Sequence, residues 1–200
     1  PYLLEEAYEV LEAIDENDTQ EMRNELGDLL LQVVFHAQIG SEQAEFDVHQ
    51  VCQAVIDKLV RRHPHVFADT AVDTAEQVVV NWERIKKEER ENAAGPASAL
   101  DGVPAQIPAL LRAQRLQSKA SRVGFDWDQI DGPLEKVSEE LEELRAARLG
   151  GDEAKVEEEF GDLLFALVNV GRFLNLCPED ALRRASGKFE RRFRQVEALL

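Results

Sequence analysis

The sequence predicts an all-α chain made of two tandem helical-bundle modules. Three observations carry that expectation. Apolar residues recur with helical period along nearly the whole length. The composition suits long solvated helices, with 32% charged residues, 6% aromatic residues and seven prolines. The second half also repeats the first: Glu5, Glu6, Glu9, Glu25 and Asp28 reappear 134 positions later as Glu139, Glu140, Glu143, Glu159 and Asp162.

In order, helices are expected over 2–16, 20–39, 46–62 and 74–93, then over 107–122, 133–149, 153–175 and 178–199. "ENDTQ" separates the first two, with Thr19 as the expected N-cap. "RRHPHVFADTAVDT" interrupts after Arg62, where Pro64 ends the third helix. "NAAGPASALDGVPAQIP" holds Gly95, Pro96, Gly102, Pro104 and Pro108 and reads as a linker. "RVGFDWDQIDGP" then leads into Pro133, which suits a first helical turn. These breaks divide the chain into a first module (1–93), a linker (94–107) and a second module (108–200). The repeat extends beyond acidic residues. Gly27 falls on Gly161, Leu29 and Leu30 on Leu163 and Leu164, and Val34 on Val168. "DKLVRRH" (57–63) matches "GKFERRF" (187–193) at a shift of 130.

Each module carries E-E-x-x-E on one helix and E-x-x-D on the next. Residues three apart on a helix share a face, so Glu140 and Glu143 point together, as do Glu159 and Asp162. The short "LGGD" connection (149–152) predicts that the two helices fold back on each other. Gly161 is expected to allow a close backbone approach, with four carboxylates converging. The positions after Asp28 and Asp162 are apolar nearly all round, so both helices are expected to be buried. Clustered carboxylates at the head of a buried helix are partly desolvated and repel one another, unless a cation or protons relieve them. Oxygen ligands without paired cysteines or histidines in register favour Mg²⁺ or Mn²⁺. Glu6, Glu9, Glu25 and Asp28 form the same set in the first module. Di-iron bundles require Glu-x-x-His on two helices, whereas Asp28 and Asp162 stand at those positions. His36, His49, His63 and His65 have no counterparts in the second half.

Lys188 and Arg192 lie four apart on one face, as do Lys58 and Arg62, which suits either phosphate oxygens or solvent. Trp82 and Lys86 share a face in "VVNWERIKKEE", fitting either a stacked base with a lysine on phosphate or core packing. Phe125 and Trp127 allow the same two readings, with packing preferred. The net charge of −17 argues against a nucleic-acid surface, yet suits a phosphorylated small molecule bound through a divalent ion. No apolar run is long enough to span a bilayer, and the start lacks the pattern of a signal peptide. Cys52 and Cys177 lie in no metal spacing and suit reduced thiols in a cytoplasmic protein. The sequence opens at Pro1 rather than Met, so a preceding segment is expected.

Taken in order, E-E-x-x-E…E-x-x-D, "ELGDLLLQVVFHA", "KLVRRHPHVFAD", "KASRVGFDW", "EEEFGDLLF" and "GKFERRF" resemble the MazG family across essentially the whole chain, linker included. The resemblance implies the all-α NTP pyrophosphatase fold and Mg²⁺-dependent hydrolysis of nucleoside triphosphates, canonical and non-canonical, to NMP and pyrophosphate. It implies metal ligation by Glu140, Glu143, Glu159 and Asp162, with Glu139 and Glu158 orienting the attacking water. Lys188 and Arg192 would contact phosphates, as would Lys136 and Lys155, and a homodimer is implied. Two family segments do not appear in this sequence: a "CPWD" stretch before the first module, and a W-x-x-x-K helix after the second like that of Trp82 and Lys86. The second module is expected to be the main catalytic one, because Glu158 stands where the first has Asn24 and because the first module's loop is longer and less charged. The competing expectation is a helical scaffold or nucleotide sensor that binds without turnover.

Overall fold

A computed structural model describes residues 2–68, 74, 77, 78, 81, 82, 84–86, 88, 89 and 98–199. Among these residues every regular element is helical, as the periodicity predicts. The labelled helices are α1 (Tyr2–Glu16), α2 (Thr19–Glu42), α3 (Val48–Arg62), α4 (Pro64–Phe67), α5 (Ala109–Ser121), α6 (Asp131–Gly150), α7 (Glu153–Phe173) and α8 (Pro178–Glu197). Residues 77, 78, 81, 82, 84–86, 88 and 89 are helical as well. The rest of the helix expected over 74–93 lies outside the described residues, as do linker positions 94–97. The chain separates into two compact units, 1–95 and 96–200.

The duplication is visible in the backbone. α1 and α6 each end at a left-handed residue, Asn17 (φ 54) and Gly151 (φ 73), and these positions correspond in the repeat. The next residue caps the following helix in both cases. Asp18 Oδ1 accepts from the Gln20 and Glu21 amides at 3.0 Å each, and Asp152 Oδ1 accepts from Lys155 N at 3.2 Å. Asp18 therefore takes the role expected of Thr19, because its carboxylate reaches two orphan amides and also suits the positive end of the helix dipole. Asp47 and Gln50 form a reciprocal capping box on α3. Pro64 follows the end of α3 as expected, but it also starts a one-turn helix.

α1 packs along α2 and α6 along α7. Ala13 and Ala147, equivalent in the repeat, are both buried, as are Val10, Ala37, Ala166 and Val168. α5 packs against α7 and α8 and has no counterpart among the described helices of the first unit.

Two expectations are corrected. A Cβ added at Gly27 or Gly161 would meet nothing within 4 Å, so neither glycine serves a close approach. And α2 and α7 are not covered all round. Leu30, Leu31 and Phe35 are 61%, 59% and 57% exposed, and Phe160 is 53% exposed. An apolar circumference shows that a helix lacks a solvent face; it does not specify what covers it.

Candidate functional site

The acidic repeats assemble as two clusters. Glu6, Glu25 and Asp28 bring one carboxylate oxygen each within 4.8 Å of the others, and Glu140, Glu159 and Asp162 do the same. In each module the first residue comes from one helix of the hairpin and the other two from the helix packed on it. Glu9 and Glu143 stay outside these triads but close enough to act on them. The fold raises the pKa of Glu159, first by burial and then by the charge of Glu143. Glu25 is raised by burial and then by Glu9. Glu6 is likewise raised by burial, then by Glu9 and Asp28.

The second cluster differs from the first in its cations. Lys136 Nζ lies 2.6 Å from Glu140 Oε1 and 2.9 Å from Glu139 Oε1. Glu140 and Glu139 accordingly hold the ammonium well above the usual lysine range. Lys155 Nζ stands 4.0 Å from Glu159 Oε1. At the corresponding register the first module has Tyr2 and Glu21, and Glu21 pushes Glu25 further up. Glu140 is only 5% exposed, and its Oε2 is buried without a hydrogen-bond partner. A buried carboxylate oxygen without a donor is costly. Together with the two neighbouring carboxylates, this all-oxygen donor set fits a hard divalent cation.

A cavity of 530 Å³ opens beside this cluster, a volume suited to a small molecule. Lys136, Glu140 and Asp162 line one side, and Leu116, Phe125, Trp127, Phe165 and Ala166 supply apolar wall. Phe125 and Trp127 therefore border the cavity, with Phe125 78% exposed, instead of packing into a core as preferred from sequence. Their loop is anchored by Asp126, which receives two bonds from the Arg172 guanidinium, one of 2.9 Å from NH1 to Oδ2. That pairing holds the Asp126 carboxyl below its ordinary range.

The remaining candidates are dispersed. Glu139 and Glu158 are exposed beside the cluster, Glu158 adding to the charge felt by Glu159. Lys188 and Arg192 are exposed on α8, and neither lines the cavity. Lys58 is exposed, while Arg62 directs Nε and NH2 to Glu89 Oε2 at 3.0 and 2.6 Å. Lys86 Nζ sits 3.9 Å above the Trp82 ring, so the two share a face as expected. Sequence reasoning missed Gln117, Asp126, Asn169 and Arg172, all on the cavity lining. A signal existed for two of them. Gln117 interrupts the apolar stripe of Leu110, Ala113 and Ala120, and Asn169 is the lone polar residue between Asp162 and Arg172.

The profile of the MazG nucleotide pyrophosphohydrolase domain matches twice, over residues 1–67 and 132–197. The chain belongs to the MazG family. Both MazG matches contain one carboxylate cluster each, and neither includes Trp82 and Lys86. Across its full length the chain is 51% identical to the nucleoside triphosphate pyrophosphohydrolase of Escherichia coli (strain K12), covering 76% of that protein. It is 48% identical to the nucleoside triphosphate pyrophosphohydrolase/pyrophosphatase MazG of Thermotoga maritima, covering all of this chain and 75% of that protein. An uncharacterized Bacillus subtilis protein, YabN, is 49% identical over 98% of the chain and 40% of its own length.

Proposed function

We propose that this MazG enzyme hydrolyses nucleoside triphosphates between the α and β phosphates, yielding NMP and pyrophosphate, with the second module as its main catalytic site. The supporting observation is that Glu140, whose Oε2 is buried and unpartnered, belongs both to a carboxylate cluster and to the lining of a cavity. Glu140, Glu159 and Asp162 would hold Mg²⁺, or Mn²⁺ in its place, with Glu143 supporting. The bound ion would supply Lewis acidity toward phosphate oxygens and lower the pKa of coordinated water. Glu139 and Glu158 orient the attacking water and accept its proton. Lys136 and Lys155 offset the charge of the polyphosphate, and Lys188 and Arg192 extend that role on α8. The apolar cavity takes the base and sugar.

In the first module Glu6, Glu25 and Asp28, with Glu9 supporting, would form a second metal position, and Lys58, Arg62, Trp82 and Lys86 would be its nucleotide-facing groups. The uncovered faces of α2 and α7 are the reason to assign a homodimer. A cytoplasmic location follows from the substrate class. The deciding test is product analysis after incubation with Mg²⁺ and each NTP. Pyrophosphate is the expected product; orthophosphate would contradict the assigned bond, and binding without any product would leave a nucleotide sensor.

Metal binding should also register in stability. Raised carboxylate pKa values mean that the metal-free fold binds more protons than the unfolded chain between the ordinary and raised values. Stability then falls as pH rises through that window. A divalent ion stabilises the ionised cluster, so its effect should grow over the same rise. Saturating Mg²⁺ is expected to raise Tm by on the order of 10 °C at pH 8. At pH 5 the increment should be smaller. Equal increments at both pH values would remove the proton–metal competition from the account.

A further inference from the structure

The cavity wall made by Phe125 and Trp127 is tied to α7 through one guanidinium. All three nitrogens of the Arg172 guanidinium donate within the protein: Nε to Asn169 Oδ1 at 2.9 Å, NH1 to Asp126 Oδ2 at 2.9 Å, and NH2 to Asp126 Oδ1. Its central carbon also lies 4.7 Å from the centre of the Phe173 ring. Asn169 is only 5% exposed, so the guanidinium rests on a fixed base. Isolated surface ion pairs contribute little. A two-pronged arginine–carboxylate pair, here with side chains 16% and 27% exposed, fixes orientation as well as distance. The loop it holds has little other cover, with Phe125 78% and Trp127 44% exposed on either side of Asp126. Asp162, Ala166, Asn169 and Arg172 follow at three- and four-residue spacing along α7, and all line the cavity. One helix therefore carries a carboxylate of the cluster and, about 15 Å further along, the anchor of the wall.

We infer that Arg172 is a positioning residue: by clamping Asp126 it holds the Phe125–Trp127 wall at a set distance from the carboxylate cluster, so that the cavity is formed before a nucleotide enters. Arg172 acts through Asp126 rather than on the phosphates, since its nitrogens are directed to Asp126 and Asn169. Without the clamp the exposed loop samples other arrangements. The apparent Kd then rises by the inverse of the fraction that keeps the wall in place. The cluster of Glu140, Glu159 and Asp162 does not include either partner of the clamp, so its affinity for a metal ion is spared. The inference rests on the proposed use of the cavity for base and sugar.

The test is calorimetric binding of α,β-methylene-ATP with Mg²⁺ to the whole chain, and of Mg²⁺ alone, in Asp126→Ala, Arg172→Ala and the double variant. Each single change should weaken binding of the nucleotide analogue by about tenfold. The double variant should also lose about tenfold rather than about 100-fold, because the two residues act as one unit. The Kd for Mg²⁺ alone should stay within about twofold of wild type. Calorimetry returns stoichiometry separately from Kd, so partial misfolding does not imitate the result. Asp126→Asn and Arg172→Lys repeat the comparison with smaller changes, and lysine should fail to restore binding because it lacks the two-pronged fork. In turnover, KM should rise by about tenfold with kcat changed less than about threefold. A purely structural clamp would lower Tm and leave these Kd values alone, which would overturn the inference. So would wild-type or tighter binding in Asp126→Ala beside weak binding in Arg172→Ala, the pattern of an arginine that grips phosphate. Additive losses, or no binding of the analogue by the wild type, would overturn it as well. Absence of turnover with every NTP, with the Kd pattern intact, would instead sink the proposed activity alone.

Discussion

Glu140→Ala and Asp162→Ala are each expected to lower NTP hydrolysis by about 10³-fold or more, whereas Glu6→Ala should retain most of it. Loss of a ligand that places a divalent ion on transferring phosphate forfeits several kcal/mol of transition-state stabilisation, and each 1.4 kcal/mol is about tenfold in rate. The expected asymmetry between modules has a local basis. Glu140 is buried with an oxygen unpaired, while Glu6 is half-buried and receives a weak 3.4 Å bond from Gln32 Nε2. Lys136 and Lys155 flank the second cluster, so a highly charged polyphosphate meets ammonium groups there. The first cluster has Glu21 in place of Lys155 and repels the same ligand more strongly. Steady-state kinetics on the three variants, with folding checked by circular dichroism, reads this directly. Activity lost in Glu6→Ala and kept in Glu140→Ala would move the catalytic site to the first module.

Gly132→Ala should raise KM by about tenfold, even though alanine is the better helix former by about 1 kcal/mol. Gly132 sits in the first turn of α6, and a Cβ there would come 2.1 Å from Trp127 Cδ1 and 2.7 Å from Cγ. These atoms belong to the base of the indole, so no small adjustment relieves the clash. Trp127 must change rotamer or its loop must shift, and overpacking of this kind costs about 1–3 kcal/mol. The loop cannot yield easily, since Asp126 is fixed to Arg172 and also accepts from Trp127 N at 2.9 Å. Trp127 is therefore expected to leave the cavity wall, weakening nucleotide binding with little change in kcat. In a Trp82→Phe background Trp127 is the lone indole of these 200 residues, and its emission should shift to the red. An unchanged KM together with unchanged emission would show that Trp127 plays no part in the cavity.

The clustering of the carboxylates was legible in the sequence because its logic is local. E-E-x-x-E and E-x-x-D obey helical spacing, and the repeat supplied an internal control that isolated acidic residues lack. The pairing of Lys136 with Glu140 and of Lys155 with Glu159 follows the same four-residue rule, and the cluster at the hairpin follows from one short connection. The cavity was less legible, since it joins α5, the Phe125–Trp127 loop and α7 from three stretches of chain. Nothing in "KASRVGFDW" alone distinguishes an aromatic that fills a core from one that borders a cavity. The cavity's polar lining left a fainter trace, a glutamine in an apolar stripe and an asparagine in an apolar run, recognisable once the surrounding helices are placed. The expected burial of α2 and α7 failed for a related reason: periodicity reports on one helix, whereas coverage depends on the neighbours.

The central claim is that Glu140, Glu159 and Asp162 hold a divalent ion at the edge of the cavity. Anomalous diffraction from crystals soaked in Mn²⁺ measures this most directly. The expected result is a peak within coordination distance of all three carboxylates. Oxygens turned apart toward solvent with no peak among them, in crystals of protein that hydrolyses NTPs, would contradict the account.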